Sequence, residues 1–108
     1  MTILMKERLL EELAAAEAEL AEVKAELAEK PDMGPGTGST GAALWEMNLA
    51  RRDRLELRIK ELHQALERVR LGTYGRCLVC GAEIDPERLE IVPTATTCAA
   101  CARRGRHL

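Results

Sequence analysis

The sequence predicts an all-α fold, an antiparallel two-helix coiled-coil hairpin followed by a small C-terminal four-cysteine domain. Three observations support this prediction. Two segments of similar length repeat apolar residues at alternating steps of four and three, a loop rich in glycine and proline separates them, and four cysteines lie in two close pairs after the second segment. Aromatic residues make up only 2% of the 108 residues. That is too few for a normal globular core, but it suits helices packed along a narrow seam.

The first helix is predicted over residues 2–30. Its apolar positions form a heptad seam of about three repeats, and the alanines and glutamates between them favour helix. The seam consists of Leu9, Leu13, Ala16, Leu20, Val23 and Leu27. Pro31 ends the helix because it lacks an N–H donor and disfavours helical geometry in the residue before it. Residues 31–41, with four glycines and two prolines, are predicted to form the loop.

The second helix is predicted over residues 42–71, with Gly72 as its terminator. Its seam consists of Leu55, Ile59, Leu62, Leu66 and Val69. A short loop between two such helices favours an antiparallel pair within one monomeric chain, in which paired residue numbers sum to about 72. A coiled coil between chains is the alternative, because a heptad seam alone does not identify its partner.

The two helices also carry opposite charge. Residues 1–33 hold four basic and nine acidic side chains, whereas residues 34–76 hold eight basic and five acidic ones. An antiparallel pair therefore allows Glu19 and Glu22 to reach Arg51 or Arg52. Exposed pairs of this kind contribute only about 0.2–1 kcal/mol each, so they select orientation more than they stabilise.

Residues 72–108 are predicted to form a zinc finger with a short basic tail. Two residues separate the thiols within each pair, and 17 residues separate the pairs, a spacing that can close a tetrahedral four-thiolate shell around Zn²⁺. The predicted ligands are Cys77, Cys80, Cys98 and Cys101. A single iron ion in the same cage and a dithiol redox pair are alternatives. The first normally sits in an aromatic core and the second needs only one pair, usually within an α/β fold.

Composition and motifs narrow the function classes. A catalytic zinc is not expected, since four thiolates leave no open coordination position, and no nucleophile and base can be assembled, so the chain is predicted not to be an enzyme. No apolar run approaches the roughly 20 residues that span a bilayer. The first residues do not read as a secretory signal, which predicts a reducing cytoplasm, where paired cysteines more often hold metal than form disulfides.

Residues 71–102 resemble the DksA/TraR family of bacterial RNA polymerase regulators. The matching residues are Tyr74-Gly75-Arg76-Cys77, Cys80-Gly81, Ile84, Arg88-Leu89, Pro93 and Cys98-Ala99-Ala100-Cys101. The resemblance implies a four-cysteine zinc finger at the base of an antiparallel coiled coil. It also implies a protein that binds RNA polymerase and inserts the coiled-coil tip into the secondary channel, without base-specific DNA contacts.

The resemblance also selects partner-binding candidates. The arginine-rich stretch Arg51-Arg52-Asp53-Arg54 is similar to one that the family carries on its second helix. This similarity makes Arg51, Arg52 and Arg54 candidate partner contacts. Arg88 of the finger motif is a further candidate. Asp32 is the only carboxylate of the predicted loop, and it is the candidate tip contact.

The chain departs from the family pattern at two places. Gly34 and Thr37 stand where better-known members carry the tip aspartates. Glu61 and Val92 stand where the family carries basic residues for the alarmone ppGpp, which argues against ppGpp dependence.

Two other functions remain open at this stage. One is a structural adaptor whose coiled coil pairs with another helix while zinc caps its end. The other is a nucleic-acid-binding module that uses Arg103-Arg104-Gly105-Arg106 as a phosphate anchor, although no aromatic residues accompany those arginines.

Overall fold

The computed structural model describes residues 2–29 and 40–105, and four helices account for most of them. They are α1 (Thr2–Ala28), α2 (Thr40–Leu71), α3 (Pro86–Ile91) and α4 (Ala99–Arg103). The predicted all-α class is confirmed for this part of the chain, in which an isolated bridge between Arg76 and Glu83 is the only β pairing. The two short helices were not predicted.

The boundaries of the long helices lie close to the predicted ones. Helix α1 ends two residues before the predicted end, and α2 begins two residues before its predicted start. Most of the predicted loop, including Asp32, lies outside the described residues. The predicted terminator Gly72 follows α2 directly with φ +79°, a conformation that glycine adopts without a Cβ penalty. The Arg68 carbonyl caps this end by accepting from the Thr73 and Tyr74 N–H groups, at 2.9 and 3.1 Å.

The predicted seams are the faces that the long helices bury. On α1, Leu9 and Val23 are fully buried, and the remaining seam residues are buried or half-buried. On α2, Leu55 and Leu62 are buried, together with Ala65, which the predicted seam did not include. Burial of these stripes is what stabilises helices of this length, since helix propensity alone is marginal in water.

The chain divides into two compact units, and the second contains residues 12–60. Here α1 and α2 run antiparallel, because Arg51 pairs with Glu19 and Arg58 pairs with Glu12, and the numbers of both pairs sum to 70. The expected Glu19–Arg51 contact is therefore present, close to the predicted register of 72. Arg52 instead pairs with its neighbour Asp53 at 3.1 Å.

The first unit combines residues 1–11 with residues 61–108. It therefore groups the start of α1 and the end of α2 with the whole cysteine-containing segment, whereas the sequence placed a domain boundary between residues 71 and 72. Five buried residues of that segment form one hydrophobic cluster, to which α1 contributes Met5. Within residues 2–29 and 40–105, no helix combines the length and hydropathy that crossing a bilayer requires.

Candidate metal centre

The four predicted ligands come together in the first unit. The sulfur atoms of Cys77, Cys80, Cys98 and Cys101 all lie within 4.8 Å of one another, and none forms a disulfide. The Cys80 and Cys98 sulfurs are 3.7 Å apart. Four sulfurs at about 2.3 Å from a tetrahedral ion stand roughly 3.8 Å apart, so the donors fit Zn²⁺ without rearrangement of the backbone.

A tight turn presents the first pair of sulfurs. The Gly81 N–H donates to the Cys77 carbonyl at 2.9 Å, and the Cys77 N–H donates to the Ala82 carbonyl at 2.8 Å. Gly81 has φ +79°, which closes the turn where a side chain would be strained. Backbone N–H groups, that of Cys80 foremost, point at the Cys77 sulfur and lower the pKa of this thiol to about 6 against the opposing effect of burial. The turn therefore favours the thiolate that a metal requires.

The start of α4 presents the second pair. Cys98 is the N-cap of this helix, and its sulfur accepts from the Cys101 N–H at 3.5 Å, which lowers the pKa of the Cys98 thiol. The Cys101 thiol behaves in the opposite way. It is only 2% exposed, and burial raises its pKa to about 12. A bound cation would offset the cost of burying a thiolate at Cys101. The convergence of all four sulfurs on one point is the donor set that a metal ion requires.

Hydrogen bonds between the two cysteine pairs hold the rest of the finger. Asp85 caps α3 by accepting from the Glu87 N–H at 2.9 Å. The Tyr74 hydroxyl donates to the Pro93 carbonyl at 2.8 Å, and the Leu78 N–H donates to the Thr96 carbonyl at 2.8 Å. These bonds tie the segment that leads into Cys98 to the first turn, so both pairs of sulfurs are positioned by one framework.

Arg88 belongs to this framework. Its Nε donates to the Thr97 carbonyl at 3.0 Å, directly before Cys98. The sequence selected Arg88 as a partner contact, and the structure places it inside the finger with a bracing hydrogen bond. Its terminal nitrogens have no hydrogen-bond partner among the described residues.

The three predicted arginines of α2 belong to the second unit, whereas the four cysteines belong to the first. A groove of about 500 Å³ runs along this part of the two helices, and both Arg51 and Arg54 line it. The hydrogen bond with Glu19 raises the pKa of Arg51. Arg54 is exposed and has no ion-pair partner within the described part of the chain.

Sequence reasoning missed the contribution of α1 to the metal-bearing core. Met5 of α1 is 7% exposed and packs in the cluster that contains Cys77 and Cys101. It lies just outside the predicted heptad seam, so the seam did not select it.

Comparisons with known proteins agree with this site. Residues 72–104 match the family model described as the prokaryotic dksA/traR C4-type zinc finger. The chain is 39% identical over 57 residues to the RNA polymerase-binding transcription factor DksA of Escherichia coli (strain K12), covering 53% of this chain and 38% of that protein. It is 46% identical over 44 residues to an uncharacterized protein of Aquifex aeolicus (strain VF5), covering 41% and 30% of the two chains.

A solved structure extends the match to the whole fold. The chain is similar to transcription factor DksA2 from Pseudomonas aeruginosa with a TM-score of 0.86 and 25% identity, over 96% of this chain and 81% of that one. The resemblance to the DksA/TraR family and the assignment of the cysteine cluster to Zn²⁺ are thereby confirmed. Bound zinc would close the finger through four sulfur bonds. The matched segments span less than two fifths of the length of these two curated relatives.

Proposed function

We propose that this chain, which shares the finger and the fold of DksA/TraR proteins, is a zinc-stabilised regulator that binds RNA polymerase and inserts its paired helices into the secondary channel. The main support is twofold. The four-sulfur centre lies in the segment that matches the C4-type zinc-finger family model, and the fold of a known transcription factor matches 96% of the chain. The E. coli relative carries polymerase binding in its name. Regulation by contact with the polymerase requires no catalytic group, which agrees with a site built only from structural ligands.

Among the arginines proposed to contact the polymerase, Arg54 is the one whose guanidinium is best placed to bind a partner. Two neighbouring arginines of the groove, Arg51 and Arg58, already donate to Glu19 and Glu12. Arg54 lines the same groove, is exposed and has no ion-pair partner among residues 2–29 and 40–105, so its guanidinium can donate to another protein. A guanidinium of this kind forms short charge-assisted hydrogen bonds to carboxylates. We therefore assign Arg54 to an acidic segment of the polymerase, with Arg51, Arg52 and Arg88 as secondary contacts and Asp32 at the tip.

The remaining parts of the proposal concern the oligomeric state, the cellular compartment and other ligands. The chain is proposed to act as a cytoplasmic monomer, without ppGpp, without sequence-specific DNA contacts and without enzymatic activity. The ppGpp proposal rests on Glu61 and Val92, whose acidic and apolar side chains offer no charge attraction to a highly phosphorylated nucleotide.

A binding assay with purified core RNA polymerase tests the contact. Arg54→Ala is expected to weaken binding about tenfold, which corresponds to roughly 1.4 kcal/mol. Lys60→Ala is the matched control, because Lys60 is an exposed cation on the same helix that does not line the groove. Its effect should stay within twofold, and zinc content should be unchanged in both variants. Equal losses in the two variants would contradict the assignment of Arg54, and no binding by the unmodified chain would support the adaptor function instead.

Insertion is tested separately by shortening the helix pair. Deleting residues 21–27 and 43–49 together removes one heptad from each helix and shortens the pair by about 10 Å. The deleted segments face each other, because residue numbers 21 and 49, like 27 and 43, sum to 70. The remaining residues therefore keep the observed register. The variant should still bind zinc and polymerase but should lose its effect on transcription in vitro. An unchanged transcriptional effect would argue against insertion. The same assay with and without ppGpp should give the same result.

A further inference from the structure

The apolar core of the finger includes a residue from outside it. Met5 lies in the second turn of α1, yet it packs in one cluster with Ile84, Leu89 and Ala95 of the finger. Two of the four zinc ligands, Cys77 and Cys101, belong to the same cluster. The first turns of α1 and the metal centre therefore share a single buried core.

The buried positions of α1 depart from the heptad seam where this contact begins. Stepping back from Leu9 in the heptad pattern leads to Lys6, which is exposed, whereas the buried residue is Met5. Met5 is buried at this off-seam position, where it packs in the cluster of the finger.

The finger core beside Met5 borders a surface pocket. This pocket of about 310 Å³ is lined by Met5 together with Tyr74, Ile84 and Leu89. Methionine suits such a place, because its unbranched, flexible side chain fills irregular gaps. Removal of the side chain would leave a space in the cluster that contains two metal ligands, and the surrounding residues could only partly collapse into it.

We propose that Met5 is a positioning residue for the metal centre, which couples the N-terminal turns of α1 to zinc retention. Met5 holds the core against which Cys77 and Cys101 are packed, so its truncation loosens the ligands and speeds zinc release. Coupling of this kind is reciprocal. Removal of zinc therefore frees the first turns of α1, while α1 in the second unit keeps its own buried partners.

Zinc release to a colorimetric chelator tests the first half of the proposal. In the full-length, zinc-loaded chain, Met5→Ala is expected to release zinc about tenfold faster, a change equivalent to roughly 1.4 kcal/mol. Met5→Leu should restore slow release, because a side chain of similar volume refills the core. Leu13→Ala is the matched control, since Leu13 lies on the same helix, is 8% exposed and belongs to the second unit.

The control separates coupling from general stability. Both alanine variants lower the stability of the chain, but only Met5→Ala should accelerate release, while Leu13→Ala and the exposed-site variant Leu4→Ala stay within twofold. Equal acceleration by Met5→Ala and Leu13→Ala, or no acceleration by Met5→Ala, would overturn the proposal.

Hydrogen exchange read by mass spectrometry tests the reverse direction and does not depend on any variant folding. After zinc removal from the unmodified chain, amides of residues 4–10 should exchange at least tenfold faster, whereas amides of residues 16–26 should change less than twofold. Unchanged protection of residues 4–10 would show that α1 is independent of the metal, contrary to the proposal.

Discussion

Removal of the metal, by Cys101→Ser or by a strong chelator, is expected to unfold the finger and leave most helical structure in place. Zinc binding to finger peptides is worth an apparent 10–16 kcal/mol at pH 7, as much as the total stability of a typical domain, about 5–15 kcal/mol. Two of the six residues in the finger core are themselves ligands, Cys77 and Cys101. The remaining apolar contacts are too few to hold the segment without the metal.

The expected loss of helix follows from the helix lengths. Among the described residues, α1 and α2 contain 27 and 32 residues and α3 and α4 contain 6 and 5, so the finger holds 11 of 70 helical residues. Unfolding of the finger alone should therefore reduce the far-ultraviolet helical ellipticity by about one sixth. Release of residues 2–10, the consequence of the Met5 coupling, adds nine residues and raises the loss to almost one third.

The assay is circular dichroism of the full chain before and after chelation, with the effect of re-added zinc as the control for reversibility. A loss of more than half of the ellipticity would refute the reasoning, because it would mean that the paired helices depend on zinc and not on their own seams. No loss at all would show that the finger keeps its structure without the metal.

Three further predictions concern packing and charge. Leu9→Ala should lower the free energy of unfolding by about 2–5 kcal/mol, because Leu9 is fully buried, whereas Leu4→Ala, at a 68% exposed site, should change it by less than about 0.5 kcal/mol; urea unfolding measures both. A double-mutant cycle on Arg51 and Glu19 should give a coupling of about 0.2–1 kcal/mol that falls in high salt, since both side chains are over one third exposed; a coupling above about 2 kcal/mol would mean the pair is desolvated. Gly75→Ala should destabilise the finger by about 1–2 kcal/mol, because the backbone there has φ +84°, and an unchanged thermal midpoint would contradict this.

Much of the architecture was predictable because it is encoded locally. A heptad seam needs only neighbours along one helix, so most of the residues that α1 and α2 bury could be read in advance, as could the end of α2 before Gly72. The spacing of the cysteines was sufficient to predict the zinc ligands, since two residues between thiols already define a turn that aims both sulfurs at one point.

The roles of individual charged residues were harder to predict. Arg88 stays a predicted partner contact, and it also donates to the Thr97 carbonyl within the finger, while Arg51 is paired with Glu19. Thr97 and Glu19 are distant in sequence from the arginines that they bind. The partner of a charged side chain depends on which segments the fold brings together, and sequence spacing does not give this.

The sequence by itself determined the two paired helices and the identity of the sulfur ligands, because periodicity and spacing are properties of adjacent residues. Only the tertiary structure decided that Met5 packs in the finger core and that Arg54 lines the groove between the long helices of the second unit. These depend on contacts between segments that are far apart along the chain, where burial is set by the packing of one surface on another.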